Sequence, residues 1–361
     1  MAKLNCYQEI FRVSLTSNLI RDDKNTAPEL QKLLAQKIPP VLADIGSGWS
    51  IAWQPTVWKK WAAYPFTPFG NAWYVAKHDD FEFEDGKKYR TYVTSIAGTA
   101  SMNAVIEQDG DIGNCVYLDS WASKGLDGLQ DAPTKHSTTE PTPDDPVFIS
   151  NGFGQAVHRL ITIPPFPDTP NLGKFLKRER EQYPDAKFVF AGHSLGAALA
   201  CGVSYTLVKA DVLPSSNVLV YPTAGPSPGN KPFAESFKKL FPSPEGSLTG
   251  YKHWNVDVIN PFDVVPCGYC TDTSYTSQTL DKVASMFGEP VVPQVGYIAN
   301  LLIKLSKGAY YPITQSAIES SIPKPPSPPT SVDEFMAVGL PQHEKAYIDY
   351  ILEHSSDSVS N

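Results

Sequence analysis

The sequence predicts an α/β fold, a mainly parallel sheet flanked by helices, and three observations carry that prediction. Short apolar runs rich in β-branched and aromatic residues alternate with helix-patterned segments through the middle of the chain. Hydrophobic residues make up 42% of the 361 positions and charged residues 19%, enough for a large core and against disorder. The pentapeptide GHSLG (192–196) joins the strand-like KFVFA to the helix-like LGAALACGVSYTLVKA.

Taken in order, Thr26-Ala27-Pro28-Glu29 has the form of a capping box ahead of PELQKLLAQKI, which predicts a helix in an N-terminal extension spanning 1–48. AWYVAK (72–77) and RTYVTSIA (90–97) read as strands of a hairpin turning at Asp85-Gly86. Residues 103–146, with Gly, Asp, Thr and Pro and little periodicity, are expected to form a long excursion over the surface. Helical spacing returns in GFGQAVHRLITI and NLGKFLKREREQY. The strands KFVFA, NVLVYP and HWNVDVIN then alternate with helices beginning at Leu195 and Lys231. The proline-rich IPKPPSPPTS reads as a surface connection, and Ser331–Glu334 as the capping box of a short helix. Together these predict one domain over 1–361.

GHSLG has the form Gly-x-Ser-x-Gly, for which a chain of this size offers roughly 0.1 chance matches. Between strand and helix, that form is a nucleophile elbow. The sharp turn exposes the Ser194 hydroxyl at the carboxyl edge of the sheet, where backbone N–H groups can stabilise an oxyanion. A serine needs a base, and the base an orienting acid, in the chain order Ser, Asp/Glu, His. Asp263, just past the strand HWNVDVIN, is the preferred acid over Asp257 inside it. Beyond Asp263 only His343 and His354 remain. His343 opens the apolar-patterned QHEKAYIDYI, whereas His354 sits in a polar tail, so His343 is the candidate base. His193, next to the serine on so tight a turn, is read as a packing or hydrogen-bonding residue.

These stretches resemble the class 3 lipases, a family of α/β-hydrolases. GHSLGAALA is close to that family's GHSLGGALA, and YVTSIAGTAS is similar to its oxyanion strand. ISNGFGQAV, TAGPSPGNKPFA and VINPFDVVP resemble its other segments. The resemblance runs from about residue 49 to about residue 353, with unmatched insertions at 103–146 and 271–335, and implies a mobile lid within 103–146, after the oxyanion strand. It implies an α/β-hydrolase fold and a carboxylic ester hydrolase acting on lipid esters. Ser194 would be the nucleophile, Asp263 the acid and His343 the base, with the N–H groups of Thr99 and Leu195 as oxyanion donors. The family's usual Arg before the glycine is Ala97 here. Triacylglycerol lipase, phospholipase A1 and short-chain or feruloyl-type esterase share this site. A non-catalytic binding module of the same fold is the competing class, separated by covalent labelling with a fluorophosphonate.

No cofactor or metal is implied. The formal net charge of −8 offers nothing to nucleic acid, and the expected partners are a lipid or small ester and, transiently, a lipid interface. No basic segment followed by an apolar run marks a signal peptide, which leaves localisation open. Cys267 and Cys270 form CGYC outside any redox context and are read as structural thiols. In the segment 291–308, Val295, Ile298, Ala299 and Leu302 share a helical face. That face has two readings: a core helix packed on the sheet, or a wall of the acyl-chain groove in which Ile298 and Leu302 contact substrate.

Overall fold

The computed structural model of the chain describes residues 3–64, 67–98 and 111–353. Within them a seven-stranded sheet runs in the order β1 (Ser50–Trp58), β2 (Asn71–Glu82), β3 (Lys88–Ile96), β7 (Lys187–His193), β8 (Val218–Thr223), β9 (Asp257–Ile259) and β10 (Gln315–Ala317). The first three strands are antiparallel, and β3 through β10 are parallel. A smaller antiparallel sheet holds β4 (Asn114–Tyr117) between β5 (Lys135–Ser137) and β6 (Phe148–Ser150).

The central strands read as continuous apolar runs because both of their faces are covered. On β7, Phe188 and Phe190 enter one core while Val189 and Ala191 enter the other. Tyr92 and Ile96 of β3 separate from Val93 and Ala97 in the same way. Helices α1 (Cys6–Leu15) and α2 (Ala27–Ile45) cover the second face through Ile10, Phe11, Leu30, Leu34 and Ile38. The Thr26–Glu29 capping box is present at the start of α2.

Within the expected surface stretch, residues 111–129 pack into the fold, while most of 130–146 is exposed. Together they form β4, β5 and the short helices α3 (Leu118–Ala122) and α4 (Gly125–Gly128). Ile112, Cys115, Val116, Leu118, Trp121 and Leu129 are buried in the main core. Their apolar residues come singly or in pairs between turns, so no period shows in the sequence. The rest of the stretch in which a lid is expected, 103–110, lies outside the described residues.

The main core is completed by α5 (Asn151–Thr162), α6 (Leu172–Gln182), α7 (Leu195–Lys209) and α8 (Lys231–Leu240). Every residue of α7 from Leu195 to Leu207 is buried, as a helix apolar all round must be. Small residues let it approach the sheet: a Cβ on Gly196 would stand 2.2 Å from the Ile96 carbonyl oxygen, and one on Gly192 2.3 Å from that of Gly196. Beyond β9 come α9 (Leu280–Val283), α10 (Pro293–Ser306), α11 (Val332–His343) and α12 (Lys345–Glu353). At α11 the Ser331 side chain caps Glu334 N, while the Glu334 carboxylate reaches back to Thr330 rather than to Ser331.

Candidate active site

Strand β7 ends at His193, and α7 starts at Leu195. Ser194 between them has φ 62° and ψ −130°, a left-handed conformation that costs a non-glycine residue roughly 1–3 kcal/mol. The surroundings impose it. Ser194 N–H donates to the Thr223 carbonyl on β8 at 2.9 Å, and the Ser194 carbonyl accepts from Ala197 N–H at 2.9 Å. The turn is therefore tied to the sheet on one side and to the helix on the other. Leu195, as the first residue of α7, has no intrahelical acceptor for its N–H.

Asp263 lies four residues past β9 and is fully buried. His343 ends α11, with 13% of its side chain exposed. The two meet through a 2.8 Å hydrogen bond between His343 Nδ1 and Asp263 Oδ2. Burial pulls the His343 imidazole toward its neutral form, but the charge and hydrogen bond of Asp263 oppose this, and its pKa ends above the ordinary 6.5. The ring lies against the elbow: its centroid is 4.7 Å from that of His193, the neighbour of Ser194. Among the described residues the Ser194 hydroxyl makes no hydrogen bond, a looseness common in ligand-free sites of this kind.

His193 has the packing role read from the sequence. Its Nδ1 bonds to Thr223 Oγ1 at 2.9 Å, and its ring also touches Tyr347. Burial drives its pKa well below the ordinary value, so it stays neutral beside the candidate base. Asp257, the weaker acid candidate, lies inside β9, where its carboxylate accepts from Gly225 N–H at 3.1 Å. Burial pushes its pKa far up, and it makes no contact with His343. His354 lies outside the described residues, and so does the candidate oxyanion donor Thr99.

Four residues around the acid escaped the sequence reading. Tyr347 donates its hydroxyl hydrogen to Asp263 Oδ2 at 2.9 Å and accepts from Asn260 N–H at 2.8 Å. Asn260 Nδ2 donates to the Gln342 carbonyl at 2.9 Å and to its side-chain oxygen at 2.8 Å. Val265 N–H holds the other carboxylate oxygen at 3.0 Å. The loop carrying the acid and the helices carrying the base are thus bound together by buried hydrogen bonds. The contacts span 82 to 87 positions of sequence, and no local pattern announces them.

Ile298 and Leu302 lie on α10, and neither the core-helix nor the groove-wall reading describes the whole helix. Ala299 is buried and Leu302 packs half-buried on the main core, but Ile298, Tyr297, Leu301 and Leu305 are exposed by 38, 71, 41 and 37%. Val295, at the first turn of α10, packs in a small cluster with Phe335 of α11 and Val264, the neighbour of the acid. Cys267 and Cys270 are buried free thiols, and burial raises the pKa of Cys270 to about 11. A cleft of about 830 Å³ lined by Cys6, Glu9, His78 and Glu84 contains none of the candidate catalytic residues. Among the described residues no three His, Cys, Asp or Glu side chains are grouped to hold a metal, and no helix is long and apolar enough to cross a membrane.

Residues 123–269 match the model of the family described as lipase (class 3). Among solved structures, the chain is similar to M37 lipase, with 18% identity and a TM-score of 0.67 over 97% of this chain and 93% of that one. It is also similar to Lip2 lipase from Yarrowia lipolytica, at 18% identity and a TM-score of 0.47 over 96% and 92%. The lipase from Rhizopus microsporus var. chinensis follows at 14% identity and 0.43 over 73% and 68%. No curated protein matches the chain. M37 lipase shares the α/β fold over nearly the whole chain, and the segment that matches the class 3 lipase family contains both the elbow and the candidate acid.

Proposed function

We propose that the chain is a class 3 lipase that cleaves lipid esters, with Ser194, His343 and Asp263 as its catalytic triad. His343 Nε2 takes the proton as the Ser194 hydroxyl oxygen attacks the ester carbonyl, and Asp263 stabilises the imidazolium that forms. Collapse of the tetrahedral intermediate breaks the bond to the alcohol, which leaves with the proton from His343. The acyl group stays on Ser194. Water, deprotonated by His343, then releases the acid and restores the serine. The N–H groups of Leu195 and Thr99 would receive the oxyanion. The observation that carries this reading is the hydrogen bond between His343 Nδ1 and Asp263 Oδ2, with the imidazole laid against the elbow.

The substrate reading is a water-insoluble ester of the acylglycerol type, met at a lipid surface. It is supported by Tyr297, Leu301 and Leu305, which follow one another at four-residue intervals along α10, with Ile298 beside them, all exposed. Leu340, one turn before His343, is 44% exposed. Each such side chain gains about 1 kcal/mol on entering lipid, given that only part of its surface is free to be buried. Labelling with a fluorophosphonate tests the triad: modification at Ser194, absent from Ser194→Ala, is expected, and an unlabelled native protein would refute it. Hydrolysis of emulsified triglycerides, phospholipids and p-nitrophenyl esters of rising chain length tests the substrate. Preference for soluble short-chain esters over emulsions counts against the interfacial reading.

A further inference from the structure

The stretch between α1 and α2 lies outside the matched family segment, yet it reaches the site from the side. Helix α1 runs into a 3-10 turn at Thr16–Asn18. Two strands anchor that turn. Thr16 Oγ1 is hydrogen bonded to the Tyr74 hydroxyl of β2 at 2.5 Å, and Ser95 Oγ of β3 donates to the carbonyls of Val13 and Ser14 at 3.0 and 3.1 Å. From α2, Lys37 Nζ donates to the Leu19 carbonyl at 2.9 Å and pairs with Asp23 at 2.7 Å.

Held in this way, the stretch presents two side chains to the site. Asn18 Oδ1 accepts from Gly98 N–H at 3.0 Å. Gly98 is the turn after β3, and it is pressed onto the elbow: a Cβ there would stand 2.9 Å from the His193 carbonyl oxygen and 3.2 Å from Ser194 Cβ. Its neighbour Ala97 is buried and has no polar side chain, and the Asn18 side-chain oxygen supplies the acceptor for Gly98 N–H. Three residues on, the two terminal guanidinium nitrogens of Arg21, Nη1 and Nη2, meet the two carboxylate oxygens of Glu344, the residue directly after His343.

We infer that Thr16–Arg21 is a strap that sets both halves of the site: Asn18 positions the Gly98 turn beside Ser194, and the Arg21–Glu344 pair positions His343. Both are positioning residues, and the inference rests on the triad reading above. The groups facing His343 are Asp263 from the loop after β9, Tyr347 from α12, His193 from β7, Glu344 beside it and Arg21 from the strap. Glu344 favours the imidazolium and Arg21 opposes it.

Breaking the strap from either side therefore has opposite consequences, which a purely structural contact would not produce. Arg21→Gln leaves Glu344 uncompensated and is expected to move the acid limb of the kcat/KM profile up by about half a pH unit. Glu344→Gln frees Arg21 and should move it down, and the double variant should return toward the native midpoint. Asn18→Ala is expected to lower kcat on a soluble p-nitrophenyl ester roughly tenfold with KM within about twofold, because the oxyanion side is misplaced rather than the binding surface. It should slow acylation by a fluorophosphonate by the same factor. Limbs that do not move, or move together, overturn the Arg21 half, and native kcat in Asn18→Ala overturns the other. If Asn18→Ala does not fold, Asn18→Ser, whose shorter side chain cannot reach Gly98 N–H in the same way, takes its place: a fall in kcat is expected, and native kcat overturns the Asn18 half. Failure of the native protein to label at Ser194 would sink the triad reading itself, whereas normal labelling with unmoved variants sinks only the strap.

Discussion

Replacing Tyr347 by Phe isolates what holds the candidate acid in place. The ring is fully buried, so the substitution keeps its packing and removes one oxygen. That oxygen serves two partners, Asp263 Oδ2 as donor at 2.9 Å and Asn260 N–H as acceptor at 2.8 Å. Loss of a hydrogen bond to a carboxylate costs about 1.5–3 kcal/mol, and a buried N–H left unpaired about 1–3 kcal/mol. The two are not additive, since the groups share one site, and about 2–3 kcal/mol is the expected destabilisation. With an unfolding entropy of roughly 2.1 cal/mol/K per residue, a chain of 361 residues has about 0.76 kcal/mol/K, so Tm should fall by about 3–4 °C.

The effect on turnover is expected to be smaller than that of losing the acid. Asp263 would keep Val265 N–H on one oxygen and His343 on the other, so the imidazole retains its tautomer while its carboxylate gains freedom. A fall in kcat of about tenfold follows, against about 10⁴ for a change that inverts the tautomer. With one donor gone the carboxylate is a stronger partner for the imidazolium, so the acid limb should shift upward by a few tenths of a pH unit. Differential scanning calorimetry and kcat on a soluble ester between pH 5 and 9 measure both. Unchanged Tm and kcat would refute the claim that this hydroxyl holds the acid. A loss as deep as that of Asp263→Asn would show that Tyr347 takes part in the chemistry.

Ser194→Ala should lower kcat by about 10³–10⁶ with Tm held within a few degrees, as read by ester hydrolysis and calorimetry. Asp263→Asn should lose about 10⁴ in kcat with the fold intact, read by the same assay beside circular dichroism. The base must be neutral to accept a proton, and the His343 pKa lies above 6.5, so kcat/KM should rise with pH through a midpoint above that value and then level; a midpoint well below 6.5 would point to another base. Tyr297→Ser with Leu301→Ser should weaken partition onto phosphatidylcholine vesicles by about tenfold or more while leaving turnover of a soluble ester unchanged.

The fold was legible where local chemistry and global position agree. KFVFA, NVLVYP and their helices have lengths and residue types that admit one reading, and GHSLG is a turn whose glycines are required by contacts of 2.2–2.3 Å. Residues 111–137 were misread because Trp121, Leu118 and Val116 enter the core from strands and helices only three to five residues long, too short for a period to register. On α10, three of the four residues of the predicted apolar face, Val295, Ala299 and Leu302, pack inward as helical spacing implies, while Ile298 is exposed. A second apolar row, Tyr297, Leu301 and Leu305, lies on the outer face. Composition cannot separate a face turned to a core from one turned to a lipid.

The choice between Asp257 and Asp263 shows why part of the site could be read and part could not. Both precede His343, and chain order alone admits either. What separates them is the edge of the sheet: a residue inside a parallel strand is walled by neighbouring strands, whereas one past its carboxyl end can turn toward the elbow. Asp257 pairs in register with Gln315, and its carboxylate is consumed by Gly225 N–H; Asp263, four residues past β9, reaches His343. That rule needs only the end of a strand, which the sequence signals. The support for Asp263 needs the position of chain 82 to 84 residues away, where Gln342 and Tyr347 come down on Asn260 and on Asp263 itself. Residue types that perform chemistry are few and recur in fixed order, so they can be found one at a time. The groups that hold them are ordinary Asn, Gln and Tyr, distinguished only by arriving at the same place.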